Sequence, residues 1–135
     1  MELVTLHLLI ADKIRDTGEI ITNDQRDRAL SAVLVNFNAS TSLNASTADP
    51  ASLDDFHWQQ IANLTAADLL EQMANYATGD IAGNALGRAI DSDGNRAADY
   101  RASANRLRRT AYNALGWQFQ TAGSSLKPAS VFVEV

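Results

Sequence analysis

Five arginines crowd one short stretch of this chain: Arg96, Arg101, Arg106, Arg108 and Arg109, with Asp99 the only acid among residues 96–116. A guanidinium is a permanently charged planar fork that matches carboxylate and phosphate geometry. The rest of the chain has the opposite sign, for the net charge is −5 and the pI is near 4.8. A general nucleic-acid binder needs clustered cations that dominate the whole surface, and this chain lacks them. The arginines therefore suit contact with an acidic neighbour, where charge fixes register and orientation. On a helix, stepping 100° per residue puts Arg101 and Arg108 on one flank and Arg106 and Arg109 on the far side. These four are candidate partner-binding residues. A second candidate is the run Val131-Phe132-Val133-Glu134-Val135. Its β-branched and aromatic content predicts a short strand. A lone strand leaves its backbone groups unpaired unless another chain supplies a sheet edge. Val131, Phe132, Val133 and Val135 are thus expected to bind a partner by strand addition.

Other constellations carry no chemistry. Asp91-Ser92-Asp93-Gly94-Asn95 begins like a calcium loop, but the EF-hand pattern needs Gly at its sixth position and a carboxylate at its twelfth. Gly94 stands fourth and Ala102 twelfth, so a turn leading into a helix is expected. His7 and His57 fall on different helices, with no acid at metal-ligand spacing. There is no cysteine, which removes disulfides, thiolate metal sites and cysteine nucleophiles. No nucleophile elbow, phosphate loop, dinucleotide fingerprint or H-E-x-x-H motif occurs. No catalytic, cofactor-binding or metal-binding residue is assigned, no cofactor is expected, and the chain is not expected to be an enzyme.

The elements that position the two candidate groups follow from periodicity. With 135 residues, 46% of them hydrophobic, the chain has the size and composition of one globular domain. Its longest apolar run, Leu8 to Ala11, is far too short for a bilayer. The opening Met1-Glu2 lacks a basic stretch, so no secretory signal is expected, and the N-x-[ST] matches at Asn38, Asn44 and Asn63 are read as composition. Leu3, Leu6, Ile10 and Ile14 recur at helical spacing, with Gly18 expected to end that helix. Thr22-Asn23-Asp24-Gln25 has the form of a capping box ahead of Leu30, Val33, Leu34 and Phe37. Residues 38–53, rich in Asn, Ser and Thr, predict a loop. Ser52-Leu53-Asp54-Asp55 opens a third helix with Trp58, Ile61, Ala62, Thr65, Leu69, Met73 and Tyr76 on its apolar face, and Gly79 is expected to close it. After a glycine-rich loop over 79–95, a fourth helix is expected over about 96–115, buried along Tyr100, Ala104, Leu107, Ala111, Ala114 and Leu115 and ended by Gly116. The predicted fold class is all-α: a bundle of about four helices over residues 1–116, then an extended C-terminal arm over 117–135 ending in a short β-strand.

Three stretches resemble the head-tail connector proteins of tailed bacteriophages, also called head-tail adaptors or head completion proteins. Ile21-Thr22-Asn23-Asp24-Gln25-Arg26-Asp27-Arg28-Ala29-Leu30 resembles the family's opening capped helix. Leu64 to Ala74, reading LTAADLLEQMA, is similar to a second helix. Ala97 to Tyr112, reading AADYRASANRLRRTAY, resembles the Arg-rich last helix. The likeness covers about residues 1–116. Many relatives carry a longer insert with strands where this chain has only the 38–53 loop. The resemblance implies a structural virion protein forming a homo-oligomeric, dodecameric ring under the portal protein. Such a ring joins the capsid vertex to a tail or tail-completion protein. Double-stranded DNA would pass through its bore without sequence-specific binding, which an acidic lining favours. It implies synthesis in the host cytoplasm, a place at the head-tail interface, and no membrane partner. The residues alone also admit a small cytoplasmic helical regulatory or interaction module.

Overall fold

A computed structural model describes residues 1–16, 20–83 and 90–117. Four α-helices follow in order: α1 (Leu3–Ile14), α2 (Asn23–Ser40), α3 (Asp55–Gly83) and α4 (Ile90–Leu115), with a 3₁₀ turn at Pro50–Ser52. Among the described residues there is no strand, and the architecture is all-α. The strand expected at Val131–Val135 lies outside the described residues.

The helices start and stop for local reasons, some expected and some not. The capping box forms: Gln25 N–H donates to Thr22 Oγ1, and Thr22 N–H donates to Gln25 Oε1. Two of the orphan donors at the α2 N-terminus are thereby satisfied. Asp54 caps α3, its Oδ1 accepting from His57 N–H at 3.0 Å. Gly116 ends α4 with φ +74. Gly116 N–H donates to Asn113 O and Trp117 N–H to Tyr112 O, which is the Schellman pattern. Its usual apolar contact is present as a T-shaped Tyr112–Trp117 pair with centroids 5.4 Å apart.

Two expected stops are corrected. The left-handed residue after α1 is Arg15, at φ 49 and ψ 50, three positions before Gly18, which lies outside the described residues. Gly79 does not close α3, which runs on to Gly83 over 29 residues. A single glycine inside a helix costs about 1 kcal/mol relative to alanine, and tertiary packing outweighs that here. At this end α3 and α4 meet through Ala74, Ala77 and Ala97, a small cluster of buried short side chains. On the other side α4 begins at Ile90, so the Asp91–Asn95 run expected to be a turn is helical backbone.

The centre of the molecule is α3. Every residue from Gln60 to Ala67 is buried, so this part of the helix is enclosed on all sides. It packs on α1, α2 and α4, most extensively on α4. The register follows from specific contacts. The Met1 amino group pairs with Asp55 at 2.8 Å, while Ile14 and Leu70 line one cleft, so α1 runs parallel to α3. Phe37 meets His57, while Gln25 and Asn75 share a groove, so α2 is antiparallel. Arg108 reaches Asp68, while Arg101 reaches Asn75, so α4 is antiparallel as well. The core joins Leu6, Ile10 and Ile14 to Leu30, Val33 and Phe37, then to Trp58, Ile61, Leu69 and Met73, and to Ala104 and Ala111 of α4.

The segment between α2 and α3 is pinned at two places. Asn38 forms a two-bond clasp with the Ala45 backbone: its Nδ2 donates to Ala45 O at 3.0 Å, and its Oδ1 accepts from Ala45 N–H at 2.8 Å. Buried Trp58 donates its indole N–H to Pro50 O at 2.8 Å. These bonds fix the ends of a stretch whose composition predicts only a loop.

Candidate interaction surface

The arginines of α4 divide by face as helical spacing requires. Arg101 and Arg108 turn toward α3. Arg108 is the more committed: its Nη2 donates to Asp68 Oδ1 at 2.7 Å and its Nη1 to Glu71 Oε1. Its side chain is only 14% exposed. Asp68 and Glu71 are three apart on α3, hence on one face, and the fork bridges them. Burial pulls the Arg108 guanidinium toward lower pKa, but hydrogen bonds and charge from Glu71 and Asp68 outweigh it and hold the group above its ordinary value. Asp68 moves up as well. Burial is the largest influence on it, and its share of the arginine does not offset that influence. This triad joins the second and third of the sequence stretches quoted above. Arg101 donates a longer bond of 3.4 Å to Asn75 Oδ1. Burial similarly raises the Tyr112 phenol near the end of the same helix.

Arg106 and Arg109 are exposed on α4. Arg106 borders a cleft of about 420 Å³ between the end of α1 and α4, with Asp12, Lys13, Arg15, Asp99 and Tyr100 among its walls. Both signs of charge are present there. A second groove, of about 510 Å³, runs between α2 and α3. Its floor is Ala29 and Ala32, and its walls are Gln25, Arg28, Asp68, Glu71, Gln72 and Asn75. The groove contains the α3 side of the Arg108 triad and has amides and carboxylates facing outward. It can accept hydrogen-bond donors, and it holds no nucleophile–base pair. Sequence periodicity does not reveal it, because its walls come from helices about 40 residues apart in the chain.

The histidines do different things. His57 Nδ1 lies 2.5 Å from Asp54 Oδ1, and its ring sits edge-on to both Phe37 and Phe56. Asp54 is drawn below the ordinary carboxylate value by the His57 backbone N–H first, then by the His57 ring. His7 has a buried Nδ1 on α1. Among the described residues no group of three or more His, Asp or Glu is placed to hold a metal ion, and no helix is long and apolar enough to cross a membrane.

The remaining candidates, Val131, Phe132, Val133 and Val135, lie outside the described residues. The point where the described chain ends is clear, however. Trp117 packs on Phe37, 6.3 Å between centroids, and on Tyr112. The described chain therefore ends at Trp117, at the end of the bundle where α1 and α3 begin. No family model matches the chain, and no curated protein or solved structure matches it.

Proposed function

We propose that this chain is a non-enzymatic structural subunit, a head-tail connector of a tailed bacteriophage. In this reading it forms a ring under the portal and joins the capsid vertex to the tail. The observation that carries the reading is the way the three connector-like stretches fall in the fold. Residues 21–30 open α2, residues 64–74 form the enclosed middle of α3, and residues 97–112 make up most of α4. Asp68, Glu71 and Arg108 then join the second stretch to the third. The likeness is thus spread over one packed unit and not over separate exposed segments.

In a closed ring each copy uses two different faces. Arg106 and Arg109 supply a basic one on α4, suited to an acidic neighbour, in a chain whose net charge is −5. The C-terminal arm, with Val131, Phe132, Val133 and Val135, is the contact to the portal or the adjoining subunit. DNA crosses the bore without sequence-specific contacts.

Quantitative mass spectrometry of purified phage particles from a lysate encoding this chain tests the proposal. The expected result is the chain at low copy number matching the portal protein. Absence from particles, with abundance in the infected cell, overturns it and favours a cytoplasmic interaction module.

A further inference from the structure

The cleft of about 420 Å³ between the end of α1 and α4 gathers cations from two helices. Lys13 and Arg15 close α1, and Arg106 faces them from α4. In a chain of net charge −5, these three stand against two carboxylates in the cleft, Asp12 and Asp99, both exposed. Among the described residues, none of the three cations has a side-chain hydrogen bond, and none forms a salt bridge with Asp12 or Asp99. Arg108 is the contrast, its fork filled by Asp68 and Glu71. The neighbouring Asp16 is engaged elsewhere, for its carboxylate accepts from the Ile20 and Ile21 backbone N–H groups at 3.0 and 2.7 Å.

A small-molecule site needs an apolar body around a few polar groups, and this cleft has one. Ile14 and Leu70 are each 3% exposed, and Leu107 packs on the same core. Tyr100 and Ser103, one turn apart on α4 and half-buried, bring a ring and two hydroxyls to the wall. Arg15 adds a backbone observation. It is left-handed, at φ 49 and ψ 50, a conformation that glycine adopts freely and arginine only at a cost. Strain of this kind collects at binding sites, and a guanidinium is held here where glycine would be the easier choice.

We propose that this cleft binds a small phosphate monoester with an aromatic body. Such a phosphate carries about two negative charges at neutral pH and three acceptor oxygens. The forks of Arg15 and Arg106 and the Lys13 ammonium supply matching donors. Ser103 donates a further bond, and the ring lies against Tyr100 and the apolar floor. The exposed carboxylates of Asp12 and Asp99 select a small ligand, because a nucleic-acid backbone would carry its charges past them. The inference goes beyond the connector reading and turns on Lys13 and Arg15, which that reading does not use, so either can fail alone.

Full-length ¹⁵N-labelled chain is titrated by NMR with phenyl phosphate, inorganic phosphate and phenol. The expected result is saturable shifts around Arg15, Tyr100 and Ser103 with phenyl phosphate, and weaker binding of the other two. Arg15→Gly removes a cation while relaxing the backbone. It should weaken phenyl phosphate about tenfold with no loss of thermal stability, a pair of results that a folding defect does not produce. Lys13→Gln should weaken binding in the same direction. No saturable binding of phenyl phosphate, or unchanged affinity in Arg15→Gly, overturns the proposal. Equal affinity for inorganic phosphate or for phenol also overturns it, because the apolar wall or the cations would then contribute nothing.

Discussion

At the scale of single residues, the Arg108 triad is the most informative feature because its three members respond differently to change. Asp68 and Glu71 are partly open to solvent, so the pair energies are moderated relative to a fully buried bridge. Arg108→Met removes the cation that bridges the two carboxylates and should cost about 1–2 kcal/mol, read as a lower urea midpoint. Asp68→Asn behaves otherwise. Burial raises the Asp68 pKa, so the folded state holds that proton more tightly than the unfolded chain does. The linked stability is present below the ordinary value of 3.8 and is lost as pH rises through the folded value. Asparagine keeps an acceptor for Arg108 and does not ionise. The stability of Asp68→Asn relative to wild type should therefore rise between pH 3 and pH 7, measured by urea titration at both. Asp54 has the opposite sign: its lowered pKa stabilises the fold above 3.8 and the contribution is lost on acidification. Asn38 offers a simpler test. Its side chain satisfies both backbone groups of Ala45, a buried residue. Asn38→Ala leaves them without that partner and should cost about 2 kcal/mol, with the helices retained by circular dichroism.

At the scale of elements, what could be read in advance was whatever is decided within a few residues. Thr22 and Gln25 are three apart and form their box; Gly116 follows the last apolar position of α4 and takes the left-handed cap. The apolar stripes of α1 to α4 likewise become buried faces, apart from Tyr76 and Ala114, which are exposed. What could not be read depends on partners far away in the chain. Gly79 looks like a stop until α4 is packed alongside through Ala97. Arg108 looks like a solvated or partner-facing cation until Asp68 and Glu71, on another helix, are brought to it. The 38–53 stretch looks featureless because its order comes from Asn38 and Trp58 bonding to backbone, which leaves no periodic trace. The two helix ends with left-handed caps give a paired prediction. A Cβ at Gly116 meets nothing within 4 Å, so Gly116→Ala should cost only the backbone term, about 1 kcal/mol. Arg15 already bears that strain, and Arg15→Gly should relieve it by up to about 1 kcal/mol, less the entropy glycine adds to the unfolded chain. Thermal unfolding of the two variants should therefore shift in opposite directions.

At the scale of the molecule, the proposed reading gives the bundle and the C-terminal arm separable duties. Among the described residues the core is already continuous: the middle of α3 packs on α1, α2 and α4, and Trp117, partly buried at the end of α4, is seated on Phe37 and Tyr112. Removing residues 124–135 should accordingly leave helical circular dichroism and cooperative unfolding in place. Assembly should respond differently. If the arm grips the portal or the adjoining subunit, the truncated chain folds yet fails to enter particles, and phage carrying the deletion accumulate heads without tails. Arg106→Ala with Arg109→Ala provides the complementary case, since both side chains are exposed and neither belongs to the buried core. That pair should leave stability within about 0.5 kcal/mol of wild type while lowering incorporation in a salt-dependent way, because a rim of charges acts through screened attraction. Normal incorporation of the truncated chain would remove the arm from the assembly mechanism and leave the basic face of α4 as the remaining candidate contact.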